Sequence, residues 1–185
     1  MKFIFLSLSL GSLATFASAV PITYTTTAIG SGTFNGTSYS NTKFTLTGTA
    51  ETSDVVSSTF YSTIPVSLSV SVEGLGSDSL SGAYTLNRAI PFGIYFSSNT
   101  FHETILGTST SDLWFYDLIS AVGPITGRSE LSPGNQAFAT AGGSFSIDSA
   151  GDSTFSASLN AVPEPASMAA LGLGGLALLR RRRKA

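Results

Sequence analysis

The chain predicts an all-β fold, an antiparallel β-sandwich or jelly-roll-like body, flanked by an N-terminal signal helix and a short C-terminal hydrophobic helix. Two observations carry this for the body. Between Val20 and Asn160 no stretch repeats apolar residues at the three-and-four spacing of an amphipathic helix, whereas several alternate apolar and hydroxyl residues with period two. Glycine and asparagine turn signals separate those stretches at short intervals, as a stack of short antiparallel strands requires.

In chain order, TYTTTA sets Tyr24 among threonines, and Gly30-Ser31-Gly32 and Asn35-Gly36 follow as turns. Asn35-Gly36 tolerates the positive φ angles of a tight hairpin, and Asn35-Gly36-Thr37, which also fits a glycosylation sequon, reads as that turn once the character of the tail is taken into account. KFTLTGTA places Phe44 and Leu46 opposite Thr45 and Thr47. PVSLSVSV places Val66, Leu68, Val70 and Val72 on one face and Ser67, Ser69 and Ser71 on the other, before a turn at Gly74-Leu75-Gly76. AIPFGIYF and DLWFYDLI are denser and are expected to lie deepest, with Trp114, Phe115 and Tyr116 anchoring the core. After a turn at Pro133-Gly134-Asn135, Phe138 marks QAFATA. Gly142-Gly143 leads into GSFSID, with Phe145 and Ile147, and STFSASL closes the series with Phe155, Ala157 and Leu159.

The 185 residues hold one domain's worth of body once both flanks are set aside: 1–19 as leader, 20–160 as body and 161–185 as tail. Charge is distributed unevenly among the three. The body has Lys43, Arg88 and Arg128 as its basic residues against ten Asp and Glu, whereas Arg180 to Lys184 are basic without a break. An acidic body repels nucleic-acid phosphates, so no nucleic-acid partner is expected. The absence of cysteine excludes disulfides, thiolate metal sites and cysteine nucleophiles.

Little else points to chemistry. His102 is the only histidine, which excludes a two-histidine metal site, and no Gly-x-Ser-x-Gly elbow accompanies it. Asp112 and Asp117 read as carboxylates marking the two ends of a buried strand, where odd spacing puts them on opposite faces. Asp148 and Asp152 read as an acidic turn, with a weak calcium site as the alternative. No catalytic residue, metal or cofactor is expected.

The flanks are more telling. MKFIFLSLSLGSLATFASA has a basic residue at Lys2, an apolar run and then small residues at Ala17 and Ala19, the layout that signal peptidase recognises, so cleavage is expected after Ala19. In the tail, Pro163 and Pro165 hold Val162 and Glu164 extended, the conformation a protease cleft binds. The fourteen uncharged residues Ala166 to Leu179 would make a helix of about 21 Å, against a hydrocarbon core of about 30 Å. Three glycines weaken it further, which suits transient inner-membrane insertion better than a permanent anchor. Arg180, Arg181, Arg182 and Arg183 then stay on the cytoplasmic side.

Val162-Pro163-Glu164-Pro165, the short Gly/Ala/Leu segment and the Arg-rich end together resemble the PEP-CTERM protein-sorting signal of Gram-negative bacteria. The resemblance implies exosortase, a membrane-embedded cysteine transpeptidase, as a partner beside signal peptidase. It makes Val162, Pro163, Glu164 and Pro165 the sorting motif and Arg180 to Arg183 the retention signal. Within the body, FTLTGTAETSDV, the Gly-Leu-Gly around Leu75 and YDLISAVGPITG resemble segments of PEP-CTERM exported proteins and carry no catalytic residues over.

Two readings of the body follow. The first is a non-enzymatic surface or extracellular-matrix protein whose hydroxyl-rich faces and exposed Tyr39 and Tyr61 contact extracellular polysaccharide. The second is a secreted carbohydrate-active hydrolase working through Asp112, Asp117 or Glu103, which needs two carboxylates facing one cleft at roughly 5 to 10 Å.

Overall fold

Eleven strands form in the computed structural model, which describes residues 19–99, 103–132 and 136–160. They are β1 (Pro21–Phe34), β2 (Thr37–Glu51), β3 (Val56–Ser57), β4 (Tyr61–Val72), β5 (Gly76–Ser79), β6 (Tyr84–Ala89), β7 (Gly93–Ser98), β8 (Glu103–Ser109), β9 (Val122–Glu130), β10 (Ala137–Thr140) and β11 (Gly143–Leu159). The period-two stretches become strands because alternation gives each a face to bury. Val66, Leu68, Val70 and Val72 of β4 lie in the core with Phe44 and Leu46 of β2, while Ser67 and Ser71 face water. Asn35 and Gly36 take the expected positive φ values of 50° and 83° at the β1–β2 turn.

The sheet closes into an antiparallel barrel instead of the expected sandwich or jelly roll. Eight strands run β1-β2-β4-β6-β7-β8-β9-β11, and β11 returns to pair with β1 from Ile22↔Leu159 to Phe34↔Phe145. Two corner strands make closure possible. The first half of β4 pairs with β6 and its second half with β2, while β9 pairs with β11 through Gly127 and with β8 from Arg128. A sandwich would leave both sheets with open edges; these shared strands and the β1–β11 seam remove them. The short β3 and β5 pair with β4, and β10 pairs with β11.

Other expectations are corrected by packing. Gly30-Ser31-Gly32 is not a turn but a bulged part of β1, where a side chain on Gly30 or Gly32 would strike Ser149 O or Ser146 O across the seam. AIPFGIYF is split by the β6–β7 turn. DLWFYDLI is no strand: it begins in a 3-10 turn at Ser111–Leu113 and continues as an irregular loop. Trp114 is half-buried there and Phe115 is exposed, which leaves Tyr116 as the one core anchor of the three. Asp148 and Asp152 lie within β11, not in a turn.

The expected leader and tail helices fall outside the described residues. Among the described residues no helix is long and apolar enough to cross a membrane.

Candidate functional site

The two ends of the body meet at one pole of the barrel. The Asn160 amide donates to Pro21 O at 2.8 Å, and Asn160 Nδ2 donates to Thr23 Oγ1 at 3.0 Å. Beside them Val20 is clipped to Thr52: Thr52 N donates to Val20 O at 3.1 Å, and Val20 N to Thr52 Oγ1 at 3.2 Å. Ala19, half-buried, immediately precedes that clip. The other residues expected to be read by processing enzymes, Ala17, Val162 to Pro165 and Arg180 to Arg183, lie outside the described residues.

Residues 110–121 close this terminal pole. Leu113, Tyr116 and Leu118 turn inward, and Leu118 holds φ at 64° while its carbonyl accepts from Tyr24 Oη at 2.5 Å. Tyr116 Oη donates to Ser120 O at 2.5 Å, and its ring meets Phe155 edge-on at 5.8 Å, with Tyr24 on Phe155 at 6.3 Å. Burial, and behind it the charge of Asp117, pushes the Tyr24 hydroxyl well above the ordinary phenol range. Tyr116 is raised in the same way, first by burial, then by Tyr24 and Asp117.

The carboxylates of the hydrolase reading are not brought together as a set. Glu103 opens β8, whose seven residues run roughly 20 Å before the 3-10 turn that carries Asp112. Asp112 is exposed in the 3-10 turn, not at a strand end. Burial raises Asp117, but the Ser120 hydroxyl and the Ile119 and Ser120 amides donate to it and leave it below the ordinary carboxyl value. That carboxylate is held ionised and occupied by its own loop. Among the described residues no group of three or more His, Asp or Glu is placed to hold a metal ion.

Tyr39, expected on the surface, is buried, with its ring on Phe44 at 6.0 Å and its hydroxyl donating to Ser146 O at 3.0 Å. Tyr61 is exposed as expected, and its hydroxyl donates to Asn87 Oδ1.

Arg88 is a feature that sequence reasoning missed. It follows Tyr84 and Leu86 on the inward face of β6, is 7% exposed, and donates from Nη2 to Ser62 Oγ at 2.6 Å and Ser58 O at 3.5 Å. Its Nε has no hydrogen-bond partner among the described residues. The signal was available, since a cation occupies the third inward position of an alternating strand. Through Ser58 and Ser62 the guanidinium braces the turn between β3 and β4, whose Phe60 O accepts from Ile90 N at 3.1 Å in the neighbouring β6–β7 turn.

Against known proteins, the family model described as the PEP-CTERM protein-sorting motif matches residues 161–184. No curated protein and no solved structure matches the chain. The matched segment starts at the residue after Asn160, the last of the described residues.

Proposed function

We propose, from the premise that this chain carries a PEP-CTERM sorting motif at 161–184, that it is a non-enzymatic surface or extracellular-matrix protein whose motif exosortase reads and removes. The motif is the observation that carries the reading. Signal peptidase cuts after Ala19, leaving Val20 to begin the body at its Thr52 clip. The apolar run then pauses in the inner membrane with Arg180 to Arg183 inside, and Val162 to Pro165 are presented to exosortase just beyond β11. The mature barrel goes to the cell surface or beyond it. There its hydroxyl-rich wall and Tyr61 meet extracellular polysaccharide, a contact read by retention of the protein on the native polymer.

Intact-mass measurement of protein recovered outside the cell tests the sorting. The expected mass is that of a chain beginning at Val20 and lacking the arginines. Recovery of wild-type protein with the Arg-rich end still attached would overturn the reading.

A further inference from the structure

The strand directions put the β3–β4, β6–β7 and β8–β9 connections at the end of the wall where β1 begins and β11 finishes, and each carries an exposed apolar side chain. Phe60 in the β3–β4 turn is 69% exposed, Phe92 in the β6–β7 turn 61% and Phe115 in the 110–121 loop 81%. Ile119 of the same loop and Leu159 at the end of β11 are exposed as well. Three separate connections thus carry an aromatic tip on one rim, although each tip could be polar without disturbing the core beneath it. None of them is loosely held. Phe60 sits in the turn braced by Arg88 and tied to Ile90, the Phe92 amide donates to Ala89 O at 2.8 Å, and Phe115 stands between buried Leu113 and Tyr116.

What covers these tips is indicated by where the chain goes next. The apolar run begins at Ala166, six residues after Asn160. Even fully extended, those residues reach only about 20 Å, so Asn160 must lie within that distance of the bilayer whenever the run is inserted, and the end of the wall where β11 finishes is kept close to the membrane. Aromatic side chains are favoured at the membrane interface, and apolar loop tips bind there in proportion to the area they bury.

We propose that Phe60, Phe92 and Phe115 form a membrane-docking rim that inserts into the interfacial layer of a lipid bilayer and holds the barrel pole-down on the surface. This inference rests on the proposed membrane pause, and it adds a second contact that does not pass through the tail. Asp112 and Asp117 lie in the same loop as Phe115, so docking depends on apolar insertion and not on attraction to anionic headgroups.

Trp114, the single tryptophan of the chain, stands next to Phe115 and reports on the rim directly. The full chain is incorporated into phosphatidylcholine vesicles whose acyl chains are brominated, and two quantities are read: flotation with the vesicles, and quenching of Trp114 by the bromines. The wild type should float and be quenched. A variant combining Phe60→Ser, Phe92→Ser and Phe115→Ser should still float through its tail yet lose most of the quenching. Each single replacement should weaken rim insertion by about tenfold. Circular dichroism confirms that the variant keeps its barrel, which the exposure of all three side chains favours.

Wild-type protein that floats with Trp114 unquenched would overturn the docking rim while leaving the sorting reading intact, and so would equal quenching in the variant. A blue-shifted but unquenched emission would mean that the tips pack on a second copy or on the chain's own apolar run, and would also overturn it. A wild type that neither floats nor is quenched would count against the tail and the rim alike as membrane elements.

Discussion

The two poles of the barrel are built from opposite materials. At the terminal pole, apolar side chains are turned outward on three connections, over a plug of Leu113, Tyr116 and Leu118. At the hairpin pole the contacts are polar. Asn35 Nδ2 donates to Asp78 Oδ2 at 3.0 Å, Gly142 N donates to the same oxygen at 2.7 Å, and Thr140 Oγ1 donates to Asn35 Oδ1 at 2.5 Å. This clasp ties the β1–β2 turn, β5 and the β10–β11 turn with groups that water can also serve. One end of the molecule is therefore clasped by polar groups and the other carries exposed aromatic side chains, although the same wall connects them. The difference teaches that the contrast between the two ends is carried by the turns and not by the strands.

Breaking the wall should erase the contrast altogether. Phe155 is fully buried and carries both Tyr24 and Tyr116 against it, so it joins the seam strand to the plug. Phe155→Ala is expected to cost about 3–5 kcal/mol, visible as a lower urea midpoint, with both poles lost in one transition. A smaller change isolates the terminal pole. Tyr24→Phe removes the hydrogen bond to Leu118 O and leaves that carbonyl without its donor. About 1–3 kcal/mol of stability should go, accompanied by faster amide exchange in residues 110–121 and unchanged exchange at the clasp. Equal acceleration at both ends would show that the plug is not a separate unit.

The smallest effect sharpens the hairpin pole through pH. The Asn35 amide and then the Gly142 N–H, with Ser79 and Thr140 behind them, hold Asp78 below its ordinary value of 3.8. A carboxyl depressed in the folded state contributes stability that is complete above 3.8 and is lost as pH falls through the lower folded value. Asp78→Asn should therefore weaken the protein slightly at neutral pH and flatten the acid limb of its stability profile, as denaturant midpoints across pH 2 to 7 would record. An unchanged acid limb would mean that the clasp carries no pH-dependent part of the fold.

Much of the wall was legible because period-two alternation is a local property. Phe44 with Leu46, Val66, Leu68, Val70 and Val72 of β4, and Phe145, Ile147, Phe155 and Ala157 of β11 all face inward as their spacing requires. Closure was not legible, since it depends on β4 and β9 changing partners halfway along, and no residue announces its partner. The DLWFYDLI stretch misled for a physical reason: aromatic density normally means burial, but here Leu113, Tyr116 and Leu118 are buried at irregular intervals while Phe115 faces out. The sorting motif was legible as a pattern of proline, apolar run and arginines, and the family match covers residues 161–184. The rim was invisible because Phe60, Phe92 and Phe115 come together only when three distant turns share one end of a closed wall.

The seam between β1 and β11 also sets a schedule. Were the chain delivered from its N-terminus through a translocon, it would offer its opening strand at once, but Ile22 could not find Leu159 until nearly the whole body had crossed. For that interval the first strand would be an unprotected sticky edge, exposed to mispairing with neighbours. The tail arrives directly behind the strand that closes the ring. A pause in the bilayer at that moment would hold each molecule apart from its siblings while the last seam zips, so the sorting signal would serve as a folding tether before it serves as an address.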